Sequence, residues 1–335
     1  MKLNLLLVIL LFGALITRAQ ESSRLYLGYR ILHFKFKGIA TDVLVKSKRG
    51  EENLGKPVLL FSQGSLPIPL IIQDGLGSIG PFPFDQDLLL DYFHVAIISK
   101  PGVPILASAG TLGPDMGYLD HGSQAPEVYR SNNRLDFYVE RNLACIRMIY
   151  RQSWSKGKLV LAGHSEGAAV ALACAGKSTC VRALLYCAGN PAGRMSSIIQ
   201  QFRVRGERDF SLQFDYYRKL VKSRAAQLSQ SETNDLSFSG GQFSIFKSLD
   251  IPVLVCFGSE DPAAPLIDYL QLEMIAARKK NVEFKNYPGL EHNFFELHKD
   301  RSIDYANCRW DMLAADWLVW LKRLDGHHEI LSTDG

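Results

Sequence analysis

Residues 158–174 read KLVLAGHSEGAAVALAC. Leu159, Val160 and Leu161 form a short unbroken apolar run, the pattern of a parallel strand buried on both faces, and Ala168 to Cys174 is a run of small helix formers. Between them, Gly163-His164-Ser165-Glu166-Gly167 is a G-x-S-x-G in strand–turn–helix context, the pattern of a nucleophile elbow. A serine on so sharp a turn occupies sparsely allowed backbone space, and its flanking positions must lack bulk for strand and helix to approach. Gly163 and Gly167 meet that need. A helix starting at Glu166 aims free N–H groups and the positive end of its dipole at the serine oxygen, which favours an oxyanion there. Alone the pattern is weak. With Gly and Ser each at roughly 7–8% of residues, a chain this long contains it by accident with a probability of about 0.1–0.2.

The chain has 335 residues, 47% of them hydrophobic, enough for one large α/β domain with an insertion or for two domains. We read a single core over residues 20–335, with an insertion at about 190–248. The start, MKLNLLLVILLFGALITRAQ, carries a cationic Lys2, an apolar stretch from Leu3 to Ile16 and small residues near Ala19. Residues 1–19 therefore read as a secretory signal peptide cleaved after Ala19 or close by, which implies a secreted or periplasmic protein. The alternative is an uncleaved anchor, but the apolar run is shorter than the roughly 18–20 residues that span a bilayer. No stable membrane span is expected after cleavage. Removing residues 1–19 takes away Lys2 and Arg18 and no acid, so the formal charge falls from +4 to +2. Such a balance suggests no nucleic acid or other polyanionic partner.

All six cysteines lie beyond residue 19 and are too sparse for a disulfide framework. Cys174 and Cys180 bracket a short loop and could bridge. Cys187 and Cys256 sit in apolar strand-like runs and read as buried thiols. There is no paired C-x-x-C and no H-E-x-x-H, so neither a metal nor another cofactor is expected.

Outward from the elbow, apolar runs at 57–61, 94–99, 181–187, 251–257 and 282–287 read as further strands, and residues 25–47 as a leading antiparallel pair. Helical spacing marks residues 133–152, 264–279 and a last helix with an apolar stripe at Trp310, Leu313, Trp317, Trp320 or Leu321, and Leu324. Strands alternating with helices predict a mostly parallel central sheet flanked by helices. Residues 68–84, IPLIIQDGLGSIGPFPF, have no clear period and read as a loop near the site, unusually apolar for a surface position. Residues 190–248 are more polar, hold a mixed helix and read as a cap over the site.

A serine hydroxyl is a poor nucleophile at neutral pH. Acyl transfer needs a histidine to take its proton and a carboxylate to orient that histidine. The run ending at Phe257 is followed by Gly258-Ser259-Glu260-Asp261-Pro262, and the run ending at Tyr287 by Pro288-Gly289-Leu290-Glu291-His292. Both put a reactive residue just beyond the carboxyl end of a strand, in the order Ser, acid, His. His33, His94 and His298 lack that context, and His121, in YLDHGSQ, is the best competitor to His292. Glu260 or Asp261 could serve as the acid.

GHSEG, GSEDPAAP and YPGLEHNF resemble the nucleophile, acid and histidine segments of the α/β-hydrolase fold superfamily, over roughly residues 57–324. The resemblance implies Ser165 as nucleophile, His292 as general base and then acid, and Asp261, three residues after the Gly, as orienting carboxylate. It also implies one oxyanion N–H from Glu166 and a second from the loop after an early strand. That loop often reads His-Gly in the superfamily; here it reads Gln63-Gly64-Ser65, and the donor stays open between Gly64 and Ser65.

The function this implies is a serine hydrolase cleaving a small-molecule carboxylic ester through an acyl-enzyme. A serine aminopeptidase acting on a peptide-like substrate is the alternative within the class. A binding module that has lost activity is the alternative outside it. The apolar stretch 66–84 and the cap suggest an apolar acyl or aromatic group in the pocket. The Glu166 side chain has two readings, a solvated acid at a helix start or a partner for a cationic substrate group. Lys219, Lys222 and Arg224 read as a solvated helix face.

Overall fold

The structure, a computed structural model, describes residues 26–75, 77–121 and 124–332; the signal peptide expected at 1–19 lies outside them. The described chain opens with an antiparallel hairpin, β1 (Tyr29–Phe36) and β2 (Ile39–Lys46). Next come β3 (Val58–Ser62), β4 (Ile71–Gln73), β5 (Ser78–Ile79), β6 (His94–Ile98) and β7 (Leu106–Ser108). Helices α1 (Glu127–Asn132) and α2 (Leu135–Tyr150) lead to β8 (Leu159–His164), α3 (Glu166–Ala175) and β9 (Val181–Cys187). A helical stretch without strands follows: α4 (Arg194–Val204), α5 (Ser211–Lys222), α6 (Gln230–Ser237) and α7 (Phe243–Ser248). Alternation resumes with β10 (Val253–Gly258), α8 (Ala264–Ala276) and β11 (Val282–Tyr287), then a hairpin of β12 (Phe295–Leu297) and β13 (Ile303–Cys308), and α9 (Trp310–Ser332).

Eight strands form one sheet in the order β1-β2-β6-β3-β8-β9-β10-β11. It is parallel from β6 to β11, with β1 and β2 as an antiparallel edge. The unbroken apolar runs follow from this geometry, since successive side chains point to opposite faces and both faces are covered. On one face Leu60, Leu161, Leu184 and Val255 pack against α2, α3 and α8. On the other, Leu59, Phe61, Val160, Leu185 and Cys256 pack beneath α9 and residues 82–93. The stripe expected on the last helix supplies Trp310, Leu313, Trp317 and Leu321, all buried.

Three segments differ from the sequence reading. Residues 68–84 are not simply loop: β4 pairs with β5 and with β7 in a small separate sheet. Phe82 and Phe84 turn inward onto Phe61, with ring centroids 6.1 and 5.7 Å away, and Phe84 meets Trp317 at 5.3 Å. Aromatic pairs of this kind contribute about 0.5–1.5 kcal/mol each beyond the area they bury. The stretch is apolar because it roofs one face of the sheet. The β12–β13 hairpin, with many half-exposed polar residues, shows no strong alternation and escaped the period argument. Residues 85–92, which the sequence offers as a short helix candidate, hold a single 3-10 turn, Gln86–Leu88.

Candidate active site

β8 ends at His164 and α3 begins at Glu166, leaving one residue for the reversal. Ser165 takes it at φ 56°, ψ −122°, in the positive-φ region that L-residues avoid. Its N–H donates to the Cys187 carbonyl at 2.9 Å, tying the turn to β9. Close approach around it demands glycine. A Cβ on Gly163 would lie 2.2 Å from the Gly167 carbonyl oxygen, and one on Gly167 would lie 2.1 Å from that of Ser62.

Asp261 follows β10 and His292 follows β11, so parallel neighbours deliver both to the same edge as Ser165. His292 Nε2 lies 2.9 Å from Ser165 Oγ, and His292 Nδ1 lies 2.8 Å from Asp261 Oδ2. A carboxylate accepts, so Nδ1 carries the proton and Nε2 is free to receive the serine's. Asp261 is buried, and its other oxygen accepts from the Ala263 N–H at 2.8 Å. Glu260 instead meets Arg301 at 2.8 Å, near the surface. Burial disfavours the charged form of His292, but the hydrogen bond and charge of Asp261, with Glu291 behind, outweigh it and raise the imidazole pKa above 6.5. Glu291 holds the loop by accepting from the Asn293 and Phe295 N–H groups.

His164, unremarked in the sequence reading, donates from Nε2 to the His292 carbonyl at 3.0 Å. Its ring lies 5.2 Å from both His292 and Trp310. Burial pushes it down to about 3, the nearby His292 charge adding to the shift, so it stays a neutral donor that fixes the His292 backbone. The other histidines lie elsewhere. His94 is buried between Ser47 and the Leu54 carbonyl. His33 pairs with Asp42, His298 sits near Asp304, and His121 is exposed beside Asp120.

A cavity of about 560 Å³ opens over Ser165 and His292. The segment expected as a cap supplies much of its wall: Arg194, Ser197, Gln200 and Gln201 from α4, Asp235 from α6, and Gln242. Of the described residues in 66–84, only Leu66 lines it. The expectation that this stretch makes a wall of the pocket is therefore met by Leu66 alone, whereas the cap does supply apolar surface through Ile198 and Phe238 beside its polar residues. Most apolar side chains of 66–84 are committed to the sheet, and the apolar part of the cavity lining comes from Tyr129, Ala169, Ala188, Ile198 and Phe238.

Both readings of the Glu166 side chain also give way. It is 7% exposed, so it is not solvated, and it is bonded to Arg194 with Lys100 Nζ 3.7 Å away, so it is not open to a substrate cation. The Glu166 N–H belongs to the first turn of α3, whose N–H groups lack partners within the helix. On the opposite side, Gly64 lies beside Ser165, a Cβ there falling 3.6 Å from Ser165 Cβ. Ser65 lines the cavity, and its carbonyl accepts from the Tyr129 hydroxyl.

The cysteines are all free, Cys174 and Cys180 included. Among the described residues no group of His, Cys, Asp and Glu is arranged to hold a metal ion, and no helix is long and apolar enough to cross a membrane.

The strand order, the strand–serine–helix turn and the loops beyond β10 and β11 define an α/β hydrolase. The chain belongs to the alpha/beta hydrolase family, whose model matches residues 83–304. No curated protein matches the sequence. Among solved structures the chain is similar to Est1E from Butyrivibrio proteoclasticus with ferulic acid bound, at TM-score 0.53 and 17% identity over 86% of this chain and 98% of that one. It is also similar to an acylaminoacyl peptidase from Pyrococcus horikoshii, at TM-score 0.50 and 13% identity over 79% of this chain; the match spans only 37% of the peptidase. At these identities the likeness is one of fold.

Proposed function

We propose that this hydrolase is a serine hydrolase that cleaves a carboxylic ester through an acyl-enzyme. The observation that carries the reading is the continuous chain from Ser165 Oγ to His292 to Asp261, with contacts of 2.9 and 2.8 Å, at the floor of the cavity. Ser165 Oγ attacks the ester carbonyl as its proton passes to His292 Nε2. The N–H groups of Glu166 and of Gly64 or Ser65 stabilise the tetrahedral oxyanion. Collapse expels the alcohol with the proton from His292. Water, deprotonated by the same nitrogen, then attacks the acyl-enzyme, and Ser165 leaves with its proton restored. Asp261 holds the tautomer and offsets the charge on the imidazolium.

The aminopeptidase reading needs a carboxylate free to receive an amine. Glu166 is bonded to Arg194, and Asp235 is engaged by Arg194 at 3.3 Å and by the Tyr216 hydroxyl at 2.9 Å. That favours the ester. Covalent labelling by a fluorophosphonate, absent in Ser165→Ala, tests the nucleophile, and nitrophenyl acetate turnover tests the chemistry. A folded wild-type protein that does neither is the binding module instead. We also read residues 1–19 as a secretory signal, which N-terminal sequencing of exported protein checks by finding a start at Gln20 or close by.

A further inference from the structure

The end of α4, all of α5 and the turn between them concentrate charge that the chain as a whole does not show. Residues 203–224, RVRGERDFSLQFDYYRKLVKSR, hold seven Lys and Arg against three acids, a formal charge of +4. The rest of residues 20–335 hold 29 Lys and Arg against 31 acids, a charge of −2. A nearly neutral total thus hides one basic edge. Two of the seven cations are matched, Arg218 by Asp215 and Lys219 by Glu232 of α6 at 2.6 Å. Arg203, Arg205, Arg208, Lys222 and Arg224 are exposed, and among the described residues none of these five forms an ion pair.

The same edge exposes large apolar side chains. Leu212 is 80% exposed, Val204 70%, Val221 60% and Phe214 47%. Val204 closes α4 and Leu212 opens α5, so the two flank the turn between the helices. α5 buries Leu220 and sends the Tyr216 hydroxyl inward to Asp235. Phe214, Arg218 and Val221, four and three residues apart, share an exposed flank of the helix. A merely solvated cationic face has no use for apolar side chains so exposed. A nucleic acid would meet the cations and leave Leu212 and Phe214 unburied. A surface anionic at its headgroups and apolar just beneath them satisfies both kinds of side chain.

We propose that residues 203–224 form a docking edge for an anionic lipid bilayer. The five unpaired cations meet the headgroups, and Val204, Leu212, Phe214 and Val221 enter the boundary below them. Gln200 and Gln201, less than a turn back along α4, line the cavity over Ser165, so docking sets that cavity beside the lipid surface. The proposal concerns binding alone and stands whether or not Ser165 is a nucleophile.

Co-sedimentation with vesicles of phosphatidylcholine containing about one-quarter phosphatidylglycerol tests it, against vesicles of phosphatidylcholine alone. Binding is expected to the anionic vesicles, and to fall about tenfold or more on the neutral ones and when salt is raised from about 0.1 to 0.5 M. Arg205→Glu with Arg208→Glu lowers it by about tenfold or more, and Leu212→Ser with Phe214→Ser by about fivefold at unchanged charge. Thermal melting checks that each variant folds; should the serine pair fail to, Val204→Ser takes its place. Equal binding to both vesicle types, or none to either, overturns the proposal. So does anionic binding that the serine variants leave unchanged. A duplex oligonucleotide that binds as tightly as the anionic vesicles, with no loss in the serine variants, also overturns it and makes the edge a nucleic-acid surface.

Discussion

Residues 66–84 and residues 190–248 both leave the sheet beyond the carboxyl ends of the strands on either side of β8, which leads into Ser165, the first after β3 and the second after β9. They end in opposite roles. The first is apolar and folds down over one face, where Leu70, Ile71, Phe82 and Phe84 are buried with α9. The second finds the other face mostly covered by α2, α3 and α8, and it lines the cavity, with Gln200 and Gln201 beside Ile198 and Phe238. Composition near a site thus reports first on what the sheet still needs covered, and only then on what the site binds. An apolar segment beside a nucleophile is a pocket wall only if no bare sheet face competes for it.

The contrast breaks most visibly at the residues both regions flank. Ser165→Ala or His292→Ala should lower kcat by about 10⁴ or more with the fold intact, and Asp261→Asn by up to about 10⁴. Single-turnover kinetics checks these, and a full-rate Asp261→Asn enzyme would move the acid to Glu260. In the proposed mechanism the base must be neutral to act, and the His292 pKa is raised above 6.5, so kcat/KM should rise with pH through a midpoint above that value. In Asp261→Asn the residual activity should show this midpoint moved downward.

Phe84→Ala should cost about 3–5 kcal/mol of stability through lost burial and the cavity left behind, with kcat/KM of the folded protein within about threefold. Denaturant unfolding and ester kinetics on the same sample separate the two. A tenfold KM change at unchanged stability would make residues 66–84 a pocket wall after all. His164, packed on the same aromatic cluster, sharpens the point by pH. Its folded-state pKa of about 3 lies below the ordinary 6.5, so only the unfolded chain takes up its proton in between. The stability it supplies is complete above pH 6.5 and is lost as pH falls towards 3, at a slope of at most about 1.4 kcal/mol per unit. His164→Gln should flatten that slope in pH-dependent melting. The smallest effect belongs to the insertion: Gln201→Leu should leave stability within about 0.5 kcal/mol and change KM a few-fold.

The core strands, the elbow and the order of acid and histidine were legible because each is written locally. Both-face burial demands an unbroken apolar run, and a one-residue reversal demands Gly163 and Gly167. The choice between Glu260 and Asp261 was half-legible, since both lie in the turn after β10 and only the fold sets which of them reaches His292. His164 left no signal beyond its place before Ser165, because its role is a backbone carbonyl 128 residues away. Lys100, Arg194 and Asp235 were passed over for the same reason.

The sequence by itself determined the layered α/β architecture and the residues at the strand ends, through short-range periodicity and turn stereochemistry. Only the tertiary structure decided that residues 66–84 cover the sheet, that Glu166 is sealed by Arg194, and which side chains of residues 190–248 line the cavity. Those outcomes depend on which surfaces meet across long separations, and burial and charge pairing act through distance in space, which the linear order of residues does not encode.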